Sequence, residues 1–308
     1  MVFPPRICVV GSANVDLTFH TPRFPKLGET LAGHAFHRGM GGKGANQAVA
    51  ASRLGATVAL VARVGNDMFG QEAIDCYRVE NIDTTFVQQD ANRPTGTAAI
   101  IVDDDAQNCI IVVAGANDGL SVEEVRAAAS AIEGTDVLLC QLEVPLDATL
   151  EAFRLARASG VRTVLTPAPA RELPDELFRL CDLCVPNESE AELLTGRKVV
   201  WFSDAESAAR TIRERGVGAV CVTMGNLGAL LLDQDGATHV PAIDVEAVDP
   251  TGAGDAFTAA LAVFLAEGCT FHDAARRANV VAALTVTRIG AQAAFPSRSE
   301  VAAQIAAE

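Results

Sequence analysis

Residues 249–260 read DPTGAGDAFTAA, a turn of small residues that runs into a helical stretch. We expect Asp255 to lie in the first turn of that helix, where the dipole favours its ionised form and lets it accept a proton at neutral pH. We expect the backbone N–H groups of Gly252, Ala253 and Gly254 to be open to an anion. The stretch therefore predicts a phosphoryl-binding hole beside a general base. An Asp helix cap is the alternative, but capping alone does not explain the flanking G-A-G.

A second Gly-rich turn, GMGGKGANQA at residues 39–48, precedes another predicted helix. It contains G-x-G-x-x-G, yet no buried strand directly precedes it, so the dinucleotide-binding interpretation fails. A Walker A loop fails as well, because Lys43 is followed by Gly44 rather than by Ser or Thr. A helix that begins near Ala45 would offer N–H groups to a polar ligand, with Lys43 and Asn46 as donors to hydroxyls. A plain Gly-rich turn before a helix is the alternative.

The chain between these motifs alternates strand-like and helix-like segments. The strand-like runs are short, nearly continuous in apolar residues and rich in β-branched side chains: ICVVGSA, VALVARVG, DVLLCQLE, VRTVLTPA, DLCVPN and GAVCVTMG. Segments of helical length lie between them, for example at residues 42–54, 68–80, 121–132, 146–158 and 203–215. This alternation predicts an α/β fold of three layers, in which helices cover both faces of a mostly parallel sheet. Ligands of such sheets bind at the carboxyl ends of the strands.

Two segments, residues 14–39 and 93–115, interrupt this alternation. Both lack helical periodicity, and the second is predicted to be a hairpin whose turn is DDDAQN. We expect them to form a small β-sheet lid that projects from a large domain made of residues 1–13, 40–92 and 116–308. An apolar sheet needs a cover, which the ligand cleft or a second subunit would supply, so we expect a homodimer through the lid.

The composition excludes several classes of partner. The 308-residue chain is 49% hydrophobic and carries a formal net charge of −15, which would repel nucleic acid and anionic membrane surfaces. Its first residues contain no apolar core of signal-peptide length, and no run approaches the roughly 18 apolar residues of a membrane span, so we expect a cytoplasmic protein. The eight cysteines lie mostly in apolar runs, as buried reduced thiols do. Cys181 and Cys184 form a C-x-x-C without the second pair or the histidines of a zinc site.

The two Gly-rich stretches, GGKGANQA and DPTGAGDAF, resemble the two signatures of the PfkB family of carbohydrate kinases. The resemblance to the ribokinase branch of that family extends along nearly the whole chain, through GSANVD, QLE, PNESE, TMGNLG and PAPARELPDEL. It implies a ribokinase-like fold and the transfer of a phosphoryl group from ATP to the 5-hydroxyl of D-ribose, with Mg²⁺ and a monovalent cation, K⁺, as cofactors.

The same resemblance implies roles for individual residues. Sugar contacts are implied for Asn14, Asp16, Gly42, Lys43, Asn46 and Glu143, beside Asp255. Asn187 and Glu190 would organise Mg²⁺ and the phosphates through water, and further nucleotide contacts are implied for Thr223, Gly225, Asn226, Gly228, Gly254 and, near the adenine, Asn279. The sugar-side set mixes donors and acceptors, which suits a polyol better than an aromatic base. Asn14 and Asp16, taken singly, are equally typical of turns and caps.

The family also binds a monovalent cation beside the phosphoryl-binding hole. The matching positions are Asp249, Thr251, Thr285, Arg288, Gly290 and Ala294. Several would use backbone carbonyls, but Ala294 stands where ribokinases often have Ser, which removes one hydroxyl. Two alternatives to ribose phosphorylation stay open. One is a kinase of another small sugar or nucleoside (deoxyribose, fructose, adenosine or pseudouridine), and the other is a non-catalytic sugar-binding protein, against which the intact Asp255 argues.

Overall fold

The six apolar runs form the centre of a ten-stranded sheet. The computed structural model describes residues 3–105 and 107–307. Its strands are β1 (Arg6–Val10), β2 (Asn14–His20), β3 (Ala35–Gly41), β4 (Thr57–Gly65), β5 (Ile82–Asp83), β6 (Val87–Asp90), β7 (Gly96–Val102), β8 (Asn108–Val113), β9 (Val137–Cys140), β10 (Arg162–Leu165), β11 (Leu183–Cys184), β12 (Ala219–Thr223), β13 (Ala229–Asp233) and β14 (Gly236–Val240). The large sheet has the order β14-β13-β12-β11-β10-β9-β1-β4-β5, with β6 also beside β4. All its pairs are parallel except those that β13 makes with β12 and β14.

Helices cover both faces of this sheet. They are α1 (Lys43–Arg53), α2 (Met68–Val79), α3 (Val122–Ala127), α4 (Ala129–Glu133), α5 (Leu146–Ala158), α6 (Asp175–Leu180), α7 (Glu188–Thr195), α8 (Phe202–Glu214), α9 (Ala253–Ala266), α10 (Phe271–Val286) and α11 (Arg298–Ala307). Strand β1 shows the layering, because Ile7 and Val9 pack with α1, α2, α9 and α10, whereas Cys8 and Val10 pack with α3 to α8. The predicted three-layer α/β/α fold is confirmed.

One predicted helix is wrong in part. The segment 121–132 is not one helix but two, α3 and α4, which are separated at Ala128. Helix α1 begins at Lys43, inside the predicted segment 42–54 and two residues before Ala45. Its first N–H groups donate to side chains from distant segments of the chain.

The second sheet has four strands in the order β3-β2-β7-β8. Strand β2 pairs antiparallel with β3 and parallel with β7, and β7 and β8 form the predicted hairpin. Ala106 of the predicted turn lies outside the described residues. Strand β3 continues to Gly41, two residues past the predicted end of the lid at residue 39. That this sheet acts as a lid, with the domain boundaries given above, stays a prediction.

No helix within residues 3–105 and 107–307 is long and apolar enough to cross a membrane. The eight cysteines are free, and five of them are buried, but Cys109 on β8 is exposed, contrary to the expectation of buried thiols. Within the same described ranges, no three His, Cys, Asp or Glu side chains are grouped so that they could hold a metal ion, and this includes the surroundings of Cys181 and Cys184.

Candidate active site

The turn before α9 presents backbone donors beside a buried carboxylate. Gly252 caps the helix in the left-handed region at φ 79°, a conformation that favours glycine, and Asp255 lies in the first helical turn with 7% of its surface exposed. Within the described part of the chain, no acceptor is recorded for the N–H groups of Gly252 and Gly254. The Ala253 N–H donates to the Pro250 carbonyl at 3.2 Å, so the predicted hole has two open donors here and not three.

Both oxygens of Asp255 accept amide hydrogen bonds from α1. Asn46 Nδ2 donates to Oδ2 at 2.9 Å, and Gln47 Nε2 lies 3.3 Å from Oδ1. Burial raises the pKa of Asp255 above its usual range, although the charge of Lys43 and the bonds from Asn46 and Gln47 act in the opposite direction. The helix position alone therefore does not set the ionisation of this carboxyl, as the sequence argument assumed, because desolvation is the larger effect.

Glu143 and Ser12 cap the N-terminus of α1. The Lys43 N–H donates to Glu143 Oε2 at 3.0 Å, Ser12 Oγ donates to the same oxygen at 2.5 Å, and the Gly44 N–H donates to Ser12 Oγ at 3.3 Å. These caps satisfy N–H groups that the helix itself cannot, and they extend α1 to Lys43. The Lys43 ammonium faces the carboxylates, so the charge of Asp255 raises its pKa.

The predicted sugar-side residues converge near this point. Asp16 and Ala98 are paired across β2 and β7 and so share one face of the small sheet. Burial, followed by the charges of Glu143 and Asp255, raises the pKa of Asp16 to about 6. Asn14 Oδ1 accepts a bond of 2.7 Å from Asn117 Nδ2, and Gly42, at φ 86°, lies so close to the start of β2 that a Cβ would be 2.7 Å from the Asn14 nitrogen. The structure thus brings the predicted set together.

A cleft of about 180 Å³ links this region to the predicted nucleotide residues. It is lined by Lys43, Asp255, Gly252, Gly254, Asn187, Glu190, Thr223, Thr166, Thr258, Ala168 and Val185. Asn187 and Glu190 form a capping box on α7, in which Asn187 Oδ1 accepts from the Glu190 N–H at 2.8 Å and Glu190 Oε2 accepts from the Asn187 N–H at 2.9 Å. Burial raises the pKa of Glu190.

The remaining predicted nucleotide residues lie around the loop after β12. Gly225 and Asn226 form a short 3-10 turn and are exposed, and Gly228 follows at φ 97° against the end of β14. Asn279 does not line the cleft. Its Nδ2 donates to the Pro241 carbonyl at 2.8 Å and to the Val240 carbonyl at 3.3 Å, so its side chain holds the segment that follows β14.

The predicted cation ligands lie on two segments that contact each other. Asp249 Oδ2 accepts from the Gly290 N–H at 2.8 Å, and Oδ1 accepts from the Thr251 N–H at 2.9 Å and hydroxyl at 2.6 Å. Although burial acts to raise it, these bonds hold the pKa of Asp249 below its usual value. The Thr285 hydroxyl is used within α10, the Arg288 guanidinium pairs with Glu300, and Ala294 is buried. Among the predicted side chains, the Asp249 carboxylate is therefore the oxygen ligand that a hard ion such as K⁺ could use, and further ligands would have to be backbone carbonyls.

Several residues of the site were not selected from the sequence. They are Ser12, Gln47, Asn117, Gln141, Thr166 and Gln292, all buried polar side chains. A single Gln at the end of an apolar strand, as in VLLCQL, was the signal that could have indicated Gln141, because a buried amide needs partners. A second, larger depression over the outer face of α2, lined by Met68, Gln71 and Val79 among others, contains none of the predicted residues.

Comparison with known proteins places the chain among sugar kinases. The pfkB family carbohydrate kinase model matches residues 4–298. Ribokinase of Mus musculus is 44% identical over 300 residues, which are 96% of this chain and 93% of that protein, and deoxyribokinase of Salmonella typhi is 40% identical over 292 residues, 94% and 95% of the two chains. Arabidopsis thaliana ribokinase, solved in complex with ribose and ATP, superimposes with a TM-score of 0.90 at 32% identity and 98% coverage of both chains.

Proposed function

The chain belongs to the pfkB family of carbohydrate kinases, and we propose that it transfers the γ-phosphoryl group of ATP to the 5-hydroxyl of D-ribose. The observation that carries this proposal is the buried Asp255 at the N-terminus of α9, in one cleft with Lys43, Asn187, Glu190 and Thr223. The relatives support the choice of substrates, because they include named ribokinases and one that was solved with ribose and ATP.

Each group of residues in and beside the cleft has a separate role in the proposed reaction. Asp255 accepts the proton of the 5-hydroxyl, and the O5 oxygen then attacks the γ-phosphorus of ATP in line with the bond to ADP, which leaves. The N–H groups of Gly252 and Gly254 and the Lys43 ammonium stabilise negative charge on the transferring group. Asn14, Asp16, Lys43, Asn46 and Glu143 orient the sugar, and Asn14 and Asn46 do so as buried side chains.

Two ions complete the proposal. Glu190, with Asn187, would hold Mg²⁺ and its water, and the bound ion would neutralise phosphate charge. Asp249 and the carbonyls of the 249–251 and 285–294 segments would hold K⁺ next to the phosphoryl-binding hole, where its charge would favour one shape of the turn. Because ATP is a substrate, we further propose a cytoplasmic location.

We also propose that the protein is a homodimer through the small sheet. Strand β8 is exposed along its whole length, with Ile111 60% and Val113 53% exposed. Their pairing with Ala99 and Thr97 places them on the face opposite Asp16 and Ala98, together with Phe19 and Phe36, whose rings are 5.0 Å apart. An apolar face of this kind on a lid is typical of a subunit contact.

A substrate panel tests the function. With ATP and Mg²⁺, we expect ribose to have a higher kcat/KM than deoxyribose, fructose, adenosine or pseudouridine, and the product to carry its phosphate on O5, as phosphorus–proton NMR would show. Deoxyribose is the strongest competitor, because the Salmonella relative is named a deoxyribokinase. If any of the other four compounds has a higher kcat/KM than ribose, the proposed substrate is wrong and that compound takes its place.

A further inference from the structure

Two chains of amide side chains end on the two oxygens of Asp255. The first contact of each comes from α1, where Gln47 Nε2 lies 3.3 Å from Oδ1 and Asn46 Nδ2 lies 2.9 Å from Oδ2. Each of these amides is held by a second one, since Gln141 Nε2 donates to Gln47 Oε1 at 2.6 Å and Gln292 Nε2 donates to Asn46 Oδ1 at 3.1 Å. Gln47 and Gln141 are completely buried, and the other two amides are less than a tenth exposed.

The chemistry of the carboxylate fixes the direction of both chains. An ionised Asp255 only accepts, so Gln47 must present its NH₂ group to it, and its Oε1 must then face Gln141. Gln141 in turn must donate, which leaves its own Oε1 buried beside Gly11 with no hydrogen-bond partner among residues 3–105 and 107–307. A buried acceptor without a donor is destabilising. Stability of the fold alone would therefore favour an apolar side chain here.

We propose that Gln47 and Gln141 are positioning residues for the general base, and that Gln292 acts in the same way through Asn46. Gln47 keeps the Asp255 carboxylate in one rotamer and favours its ionised form, and Gln141 prevents the Gln47 amide from turning its oxygen toward the carboxylate. The inference rests on the proposed function, because it takes Asp255 as the acceptor of the 5-hydroxyl proton.

The charges around Asp255 explain why such support is needed. Lys43 is the cation that favours the ionised form, whereas Glu143, Asp16 and Glu190 are acidic groups whose ionisation is coupled to that of Asp255 and opposes it. Burial opposes the charge as well. Two neutral donors, one on each oxygen, add to Lys43 without occupying the space of the sugar or the phosphoryl group.

The test is the pH dependence of kcat/KM for ribose in Gln47→Met and Gln47→Glu. Gln47→Met removes the donor at similar side-chain length, and we expect the acid limb to move up by about one pH unit, with kcat lowered about tenfold or more. Gln47→Glu keeps the shape but brings a second carboxyl to Asp255, so a larger shift follows. Ribose affinity without ATP, measured by calorimetry, should change less than about twofold in Gln47→Met, because Gln47 is not among the proposed sugar contacts.

Thr163→Val is the matched control. The Thr163 hydroxyl is also completely buried and donates to the Leu180 carbonyl at 2.6 Å, near the end of β10 away from the cleft. We expect this variant to lose stability and to keep the wild-type pH profile. The titration of ATP itself contributes equally to the profiles of the wild type and the variants, so it cancels in the comparison. If Gln47→Met does not fold, Gln141→Met takes its place. It removes the donor to Gln47 Oε1 together with a buried oxygen that lacks a partner, and we expect the acid limb to move in the same direction by a smaller amount.

Asp255→Asn separates the two possible failures. If Asp255→Asn is inactive while the Gln47 variants keep the wild-type pH profile and kcat, the positioning role is wrong and the proposed function stands. If Asp255→Asn keeps wild-type turnover, the proposed base is wrong, and the positioning role falls with it.

Discussion

At the scale of single residues, two opposing effects act on the ionisation of the carboxyl groups in the site. Burial opposes it, and the positive charge of Lys43 favours it. Asp255, Glu143 and Glu190 act on Lys43 through their charges, and Asp16 lies close enough to Glu143 and Asp255 to feel theirs. Burial raises the pKa of Asp16, Glu190 and Asp255. Carboxylates in this state are destabilising to the empty protein at neutral pH, because their charged form lacks water. Buried carboxyl groups with such shifted pKa values are typical of sites that bind a ligand or take part in a reaction.

The stability of the protein should show this cost at Asp16. Its folded pKa of about 6 lies above the usual value near 3.8, so the ionised form destabilises the fold above pH 6 and the cost disappears as the pH falls toward 4. We expect Asp16→Asn to raise the free energy of unfolding by up to about 3 kcal/mol at pH 8, and by about half of that at pH 5. Urea denaturation at both pH values measures the difference. An equal difference at the two pH values would contradict the assignment.

Ribose affinity should depend on the same group. Sugar hydroxyls donate to an ionised carboxylate, and this acceptor is lost as Asp16 is protonated below about pH 6. We therefore expect ribose to bind about tenfold more weakly at pH 5 than at pH 7 in the absence of ATP. Calorimetry on wild type and Asp16→Asn checks this. The variant should bind weakly with a flatter pH response, and an unchanged slope would assign the effect to another carboxyl.

At the scale of elements, two helix N-termini meet at the cleft. Helix α1 supplies Lys43, Asn46 and Gln47, and α9 supplies the phosphoryl-binding turn and Asp255. The N-terminus of each helix is held by residues outside that helix. Glu143 and Ser12 hold α1, and the turn before α9 begins at Asp249, which accepts a hydrogen bond from the Gly290 N–H. The chemistry therefore depends on segments that hold these ends in place.

The cation segment offers a test at this scale. If K⁺ binds between residues 249–251 and 285–294, it stiffens the turn before α9 without touching the reacting oxygen, so it should raise kcat. We expect a saturable increase of rate with KCl, with choline chloride holding ionic strength, and tighter K⁺ activation in Ala294→Ser. A flat response in wild type that the serine substitution restores would identify the missing hydroxyl. A flat response in both proteins would mean that no cation acts there.

The exposed strand β8 allows a test of the proposed dimer. A lysine at Ile111 places a charge on the exposed apolar face of the small sheet. Light scattering at micromolar concentration should give a dimer mass for wild type and a monomer mass for Ile111→Lys. A substitution on an exposed helix, Leu193→Lys, serves as the control and should remain dimeric. A monomer mass for the wild type would contradict the proposed interface.

At the scale of the whole molecule, the sequence predicts what local pattern determines and misses what distant contacts determine. Continuous apolar runs predict β1, β4 and β9 to β12, because strands buried on both faces cannot alternate. The alternation of strands and helices does not predict β5, β13 or β14. Strand β5, like β11, has only two residues, and β13 and β14 form an antiparallel edge that no helix separates.

The same distinction applies to the site. The two Gly-rich turns indicate Asp255 and Lys43 because their chemistry is local. The partners Gln141, Gln292 and Asn117 come from positions more than 90 residues away from the groups that they hold, and nothing in a single sequence places them there. The residue at which α1 begins is also set by a distant contact, since Glu143, 100 residues along the chain, accepts the first N–H bond.

The most direct measurement for the whole account is made on Asp255→Asn, with ribose binding by calorimetry and ADP release by a coupled assay on the same preparation. The amide keeps the shape of the carboxyl but cannot take the 5-hydroxyl proton. We expect ribose to bind with nearly the wild-type Kd, while turnover with ATP falls by on the order of a hundredfold or more. Wild-type turnover in this variant would show that Asp255 is not the base and would contradict the mechanism built on the turn before α9.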